Sequence, residues 1–257
     1  MPDLFGRPSP NGNVIEFPSP YSEFGQFVGW MNKTLAKDFL TRLGRYVKPQ
    51  WIHNANGVLN YLYAGWWMSS HGFFGASRFV KREELHAHLA QPLVEIPVTY
   101  LEFGVFRGDS LRRWASLLKH PAARFHGFDS FEGLPESWVL ACGKGAFDVG
   151  GELPVIEDPR VQLHKGWFDQ TLPLFVKDFQ CGDRLVIHLD ADLYSSSAFV
   201  LKSLRPWITR GTILVFDEFF DRQHELKAAD EFIADAHVKL NCLGVTTGLQ
   251  QVAFEVL

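Results

Sequence analysis

The chain has 257 residues, 46% of them hydrophobic, and a formal net charge of −4. This is enough apolar material for one large domain, or a domain with an appendage, and it leaves no electrostatic footprint for a nucleic-acid partner. Three dispersed cysteines fit a reducing compartment, no stretch approaches the roughly 18 apolar residues of a membrane span, and the Pro/Gly/Asn-rich start is not a signal peptide, so a soluble cytoplasmic protein with no membrane partner is expected.

Residues 1–25 read as a loose arm and 26–92 as an aromatic-rich helical segment. Apolar positions recur at helical spacing in Phe39, Leu40, Leu43 and Tyr46, and again in Val58, Leu59, Leu62 and Tyr63. The aromatics have two readings. One is packing, against a sheet or a second copy of the chain. The other is a lid over a bound acceptor, with Trp66, Trp67, Phe73 and Phe74 as candidates because the Ser69-Ser70-His71-Gly72 loop lies between them. Pro92 and Pro97 mark a break, giving an N-terminal arm and helical segment at 1–95 and a second domain at 96–257.

From residue 98 strands and helices alternate. Strands are predicted at 98–103, 124–128, 161–164, 185–189 and 212–216. Helices are predicted at 109–119, 169–178 despite Pro173, 195–207 and 225–238. The tail, 241–246 and 250–256, can pair through Thr247-Gly248 as an antiparallel hairpin. The fold class is therefore α/β, a doubly wound, mostly parallel sheet. The terminal hairpin narrows it to the seven-stranded, Rossmann-like pattern of a class I S-adenosylmethionine (SAM) methyltransferase.

The first strand runs into Glu102-Phe103-Gly104-Val105-Phe106-Arg107-Gly108-Asp109-Ser110. Glycines between strand and helix admit a ligand close to the backbone. The spacing is G-x-x-x-G, neither the dinucleotide G-x-G-x-x-G nor a P-loop. Glu102 would repel a phosphate and suits a cation such as the sulfonium and amino groups of SAM. Alternatively the loop is a tight turn with a surface Glu. Asp129 ends the second strand at about the spacing expected for a ribose-binding acid; its bland alternative is a turn cap ahead of Gly133-Leu134-Pro135.

Two further strands end in carboxylates: Leu189-Asp190-Ala191-Asp192 and Phe216-Asp217-Glu218. Neighbouring strands lie about 4.8 Å apart, so these acids share one site. Clustered carboxylates need a cation or a proton between them, and oxygen donors suit a hard ion such as Mg²⁺. Without a metal, Asp190 can serve as a general base with its pKa raised by Asp217 and Glu218. Asp192 and Asp221 read as helix or turn caps. Among ten histidines, His188 reads as packing or support, His164 as a possible cofactor contact, and His224 as a residue able to approach the substrate.

Four ordered motifs now point to a family. Tyr100-Leu-Glu-Phe-Gly-Val-Phe-Arg-Gly-Asp-Ser-Leu111, Gly127-Phe-Asp-Ser-Phe-Glu-Gly-Leu-Pro135, Lys165-Gly-Trp-Phe-Asp-Gln-Thr-Leu-Pro173 and Leu189-Asp-Ala-Asp-Leu-Tyr-Ser-Ser196 resemble the macrocin O-methyltransferase family. The resemblance covers about residues 98–257. It implies a SAM-dependent O-methyltransferase acting on a hydroxyl of a small molecule, such as a sugar of a natural product. It implies cofactor contacts from Glu102, Gly104, Val105, Arg107, Gly108, Ser110, Asp129, Ser130, Lys165, Gly166, Trp167 and Asp190. It places Mg²⁺ on Asp190, Asp217 and Glu218, the last a departure from the family's Asp. It makes Asp190 the expected catalytic residue and a homodimer the expected assembly; His224 joins Asp190 as a catalytic candidate from its own place after the Asp217-Glu218 loop. The competing readings are a SAM- or nucleoside-binding protein without catalysis, a methyltransferase with a non-sugar acceptor, and a dehydrogenase, against which the missing G-x-G-x-x-G counts.

Overall fold

The computed structural model describes residues 33–138 and 142–257. The chain divides into two compact units, one ending at Ile52 and the other running from His53 to Leu257. In the first, helix α1 spans Lys33–Gly44. Helix α2, Pro49–Ser70, starts there and continues into the second. The predicted helical stretch 26–32 and the arm 1–25 lie outside the described residues.

The second unit holds an eight-stranded sheet: β1 (Arg78–Phe79), β2 (Val98–Phe103), β3 (Arg124–Asp129), β4 (Val161–Lys165), β5 (Arg184–Leu189), β6 (Ile213–Asp217), β7 (Leu240–Thr246) and β8 (Gln251–Val256). The spatial order is β1-β7-β8-β6-β5-β2-β3-β4. All neighbours are parallel except the pairs β8 makes with β6 and β7. The terminal hairpin is thus present. The eighth strand, β1, escaped the sequence reading because two residues leave no period to read.

Helices α3 (Arg82–Ala90), α4 (Asp109–Leu117), α5 (Phe168–Phe175), α6 (Tyr194–Leu204) and α7 (Glu225–Ala236) cover the sheet. Alternation along each strand sends successive side chains to opposite faces. Leu101, Phe103, Ile187, Leu189, Leu214 and Phe216 pack with Trp67 and Met68 of α2 and with α5, α6 and α7. Val98, Tyr100, Val186, Val215 and Ala253 face Leu85 and Leu89 of α3 and Leu111 and Trp114 of α4. The same alternation puts Glu102, His188, Asp217 and Gln251 on the α3/α4 face, at the carboxyl ends of the parallel strands. There the apolar layer gives way to a polar one. This is the end where open α/β sheets bind ligands.

The connection between β3 and β4 is long. Among its described residues there is no helix, and one isolated bridge joins Glu132 to Asp148.

Candidate active site

A cavity of about 810 Å³ opens at the carboxyl ends of β2, β3, β5 and β6. On one side stands the glycine loop. Gly104 has φ +95°, and a Cβ there would lie 1.8 Å from the carbonyl oxygen of Asp190. Only glycine lets the ends of β2 and β5 approach so closely. Asp129 organises the loop beside it. Its Oδ2 accepts from the N–H groups of Val105 and Phe106, both at 2.8 Å, and its Oδ1 from Phe131 N–H at 2.7 Å. Glu102 is 1% exposed. Tyr100 donates its hydroxyl to Glu102 Oε2 at 2.6 Å, while Oε1 has no hydrogen-bond partner among the described residues.

The acids stand opposite. One carboxylate oxygen each from Asp190, Asp192 and Glu218 lie within 4.8 Å of one another. Asp192 and Glu218 reach this position through left-handed backbone, φ 59° and 38°. Such conformations cost roughly 1–3 kcal/mol each and mark functional turns. The charge density is felt. Burial, then Asp217 and Glu218, push Asp190 well above the usual carboxylate range. Burial and Asp217 push Asp192 up to about 7, and burial followed by Asp217 and Asp192 pushes Glu218 up to about 8. Glu218 Oε2 is buried with no partner among the described residues.

Asp217 groups with Asp190 and His188, one ligand atom of each lying within 4.8 Å of the others. Its Oδ2 is 3.3 Å from Arg82 Nη1 and its Oδ1 is 3.8 Å from His188 Nε2. Burial would raise its pKa, but His188 and Arg82 reverse the sign and hold it below the usual range. Burial likewise opposes a charge on His188, yet Asp217 and Glu102 prevail and lift it to about 9.

A family model described as a methyltransferase domain matches residues 101–219. The stretch spans β2 through the β6 tip, and so carries the glycine loop, Asp129 and the acidic trio. Residues 101–219 are thus similar to a methyltransferase domain.

A curated relative from Streptomyces olivaceus, 8-demethyl-8-(2,3-dimethoxy-alpha-L-rhamnosyl)-tetracenomycin-C 4'-O-methyltransferase, is 30% identical over 149 residues, covering 48% of this chain and 54% of the relative. The chain thus spans about half the length of the curated relative it matches. Among solved structures, a calicheamicin methyltransferase superimposes with a TM-score of 0.56 at 20% identity, over 97% of this chain and 99% of the other. The O-methyltransferase NovP superimposes with a TM-score of 0.51 at 21% identity, over 68% and 78%. Both share the class I SAM methyltransferase fold.

Within the matched stretch, Glu102, Gly104, Val105, Arg107, Ser110, Asp129, Ser130, Trp167, Asp190 and Glu218, with Asp217, all line the cavity. Four expected residues do not. Gly108 faces Pro154 and Ile156. Lys165 donates its ammonium to Gly151 O at 2.6 Å, and Gly166 gives its N–H to Asp129 O. His224 is held behind the wall, where its Nδ1 accepts from Tyr194 N–H at 3.2 Å. His224, expected to approach the substrate, is thus outside the cavity lining. The expected metal residues fall in two convergent groups: Asp192 meets Asp190 and Glu218, while Asp217, beside Arg82, meets Asp190 and His188. Asp192 does not cap α6, whose N-cap is Leu193.

The lid candidates are also elsewhere. Trp67 is 1% exposed and donates Nε1–H to Asp230 at 2.7 Å. Phe73 packs on the same core, and Trp66 and Phe74 point to solvent. Trp138 and Phe147 of the β3–β4 connection, with Phe168 and Phe199, supply the cavity's aromatic surface instead. His164 stacks on Phe128 at 4.4 Å, away from the cavity lining.

Sequence reasoning missed Arg82, which lines the cavity and neutralises Asp217. It opens α3, and nothing local distinguishes it from the other basic pairs. Burial opposes its charge, but Asp217, Asp190 and Glu218 outweigh that and raise its pKa.

Proposed function

We propose that this chain transfers a methyl group from SAM to a hydroxyl of a small molecule, with a sugar of a natural product as the acceptor class. The observation that carries this is the pairing, across one cavity, of a buried carboxylate oxygen without a partner (Glu102 Oε1) and a converging acidic trio. The first suits the ammonium of SAM. The second suits an acceptor hydroxyl. The curated relative's rhamnosyl acceptor supports the sugar reading.

In this mechanism the glycine loop and Asp129 hold the cofactor while the acceptor oxygen attacks the methyl carbon in line with the breaking C–S bond. S-adenosylhomocysteine (SAH) leaves as a neutral thioether, and the acceptor's proton passes to Asp190. A carboxylate with a raised pKa is a stronger base near neutral pH. Alignment of the two reactants carries much of the rate, and the aromatic walls exclude water.

A Mg²⁺ ion fits the donors: three converging carboxylates, all oxygen, one with a buried oxygen lacking a partner. Asp190, Asp192 and Glu218 would hold it. When bound it would supply charge that lowers the hydroxyl's pKa. A homodimer belongs to the same reading; Val58, Leu62 and Trp66 on α2 are exposed apolar side chains that a second copy would cover.

The test is Asp190→Asn, assayed by SAH formation with a rhamnoside acceptor and by calorimetry with SAH. Turnover should fall at least a thousandfold, while SAH affinity stays within about threefold. Full activity in the variant would remove Asp190 from the chemistry. SAH binding by the wild type with no methylation of any acceptor would favour a binding protein.

A further inference from the structure

Behind the cavity wall lies a chain of buried polar side chains that the methyl-transfer steps do not use. Parallel register sets Glu102 of β2 directly beside His188 of β5, and antiparallel register sets Asp217 of β6 beside Gln251 of β8. His86, Tyr100, His188 and Gln251 are each 0% exposed. The Gln251 side-chain amide lies 2.9 Å from His86 Nε2 and 3.4 Å from His188 Nε2; with His188 protonated, its oxygen accepts from His188 Nε2–H and its nitrogen donates to the neutral ring of His86. His188 Nδ1 is 2.8 Å from the Tyr100 hydroxyl oxygen. Tyr100 uses its own proton on Glu102 Oε2, so its oxygen is the acceptor for His188 Nδ1–H.

Burying this many polar groups beneath a sheet costs free energy unless every member is satisfied. An apolar layer would do the packing more cheaply. The chain ends on Glu102, which lines the cavity and whose other oxygen is buried with no partner among the described residues. With Oε2 tied back by Tyr100, Oε1 is the Glu102 oxygen left for a ligand.

We propose that Tyr100 and His188 are positioning residues that lock Glu102 to receive the cofactor's ammonium group, with Gln251 and His86 fixing the ring of His188. The proposal rests on the SAM reading above. It also brings in residues outside the matched methyltransferase domain, since His86, Tyr100 and Gln251 all lie beyond 101–219.

Calorimetry on the full chain tests it with two probes, SAH and 5′-methylthioadenosine, which lacks the amino-acid portion. Tyr100→Phe should weaken SAH about tenfold, the worth of a hydrogen bond to a charged group, and leave 5′-methylthioadenosine within twofold. His188→Leu should do the same. His188→Asn, whose amide N–H can replace Nδ1–H, should restore SAH affinity to within about threefold of wild type. A parallel loss for both probes, or no loss for either, would show that the network only supports the core and overturn the assignment. Failure of the wild type to bind SAH would instead overturn the methyltransferase reading beneath it.

Discussion

Asp192→Asn removes one carboxylate from the trio without changing its shape, and asparagine tolerates the left-handed backbone that Asp192 adopts. Asp192 is pushed from 3.8 up to about 7. Between those values the folded chain holds a proton that the unfolded chain has released. Stability therefore falls as pH rises from 3.8 towards 7, and it stays lost above 7. At about 1.4 kcal/mol per pH unit the full displacement amounts to roughly 4 kcal/mol. Water in the cavity screens much of this, leaving about 1–2 kcal/mol to recover. A domain of this size gains roughly 2–4 °C in Tm per kcal/mol. In EDTA at pH 8.5 the variant should melt about 2–8 °C above wild type, and the gap should narrow at pH 5. Added Mg²⁺ should raise the wild-type Tm at pH 8.5, as any ligand of the folded state does, and should move the variant far less. A variant that melts below wild type at pH 8.5 in EDTA would refute the view that these carboxylates repel one another in the folded chain.

Two further outcomes follow from the same geometry. Gly104→Ala places a methyl group 1.8 Å from the Asp190 carbonyl at φ +95°, so thermal unfolding should reveal a loss of about 3 kcal/mol or more; an unchanged Tm would contradict the close approach of β2 and β5. Asp129→Ala deprives three backbone N–H groups of their acceptor, which should weaken SAH binding at least tenfold in calorimetry; unchanged affinity would mean that the glycine loop holds its shape without Asp129.

Much of the site was legible because its residues sit at strand ends, where an apolar run breaks into Gly or Asp within one short window. Glu102, Asp129, Asp190 and Glu218 all announce themselves this way. Lys165, Gly166 and His224 follow strands or loops of the same look, yet they turn away from the cavity. Lys165 meets Gly151 in the β3–β4 connection, and His224 is tied to the start of α6. Such partners depend on loop paths that no periodicity encodes. Arg82 and Gln251 were missed for a related reason: each acquires a role only through a neighbour far away in the chain.

The sequence by itself determined the alternation of strands and helices, the antiparallel tail, and the face to which each strand residue points, since all of these follow from local periods of 2 and 3.6. Tertiary structure decided which carboxylates meet. Asp192 joins Asp190 and Glu218 because two left-handed turns swing the side chains together, and Asp217 meets Asp190 beside an arginine from α3 and a histidine from β5. Charge pairing at a few ångströms depends on register and turn geometry between distant segments, and local sequence does not carry that information.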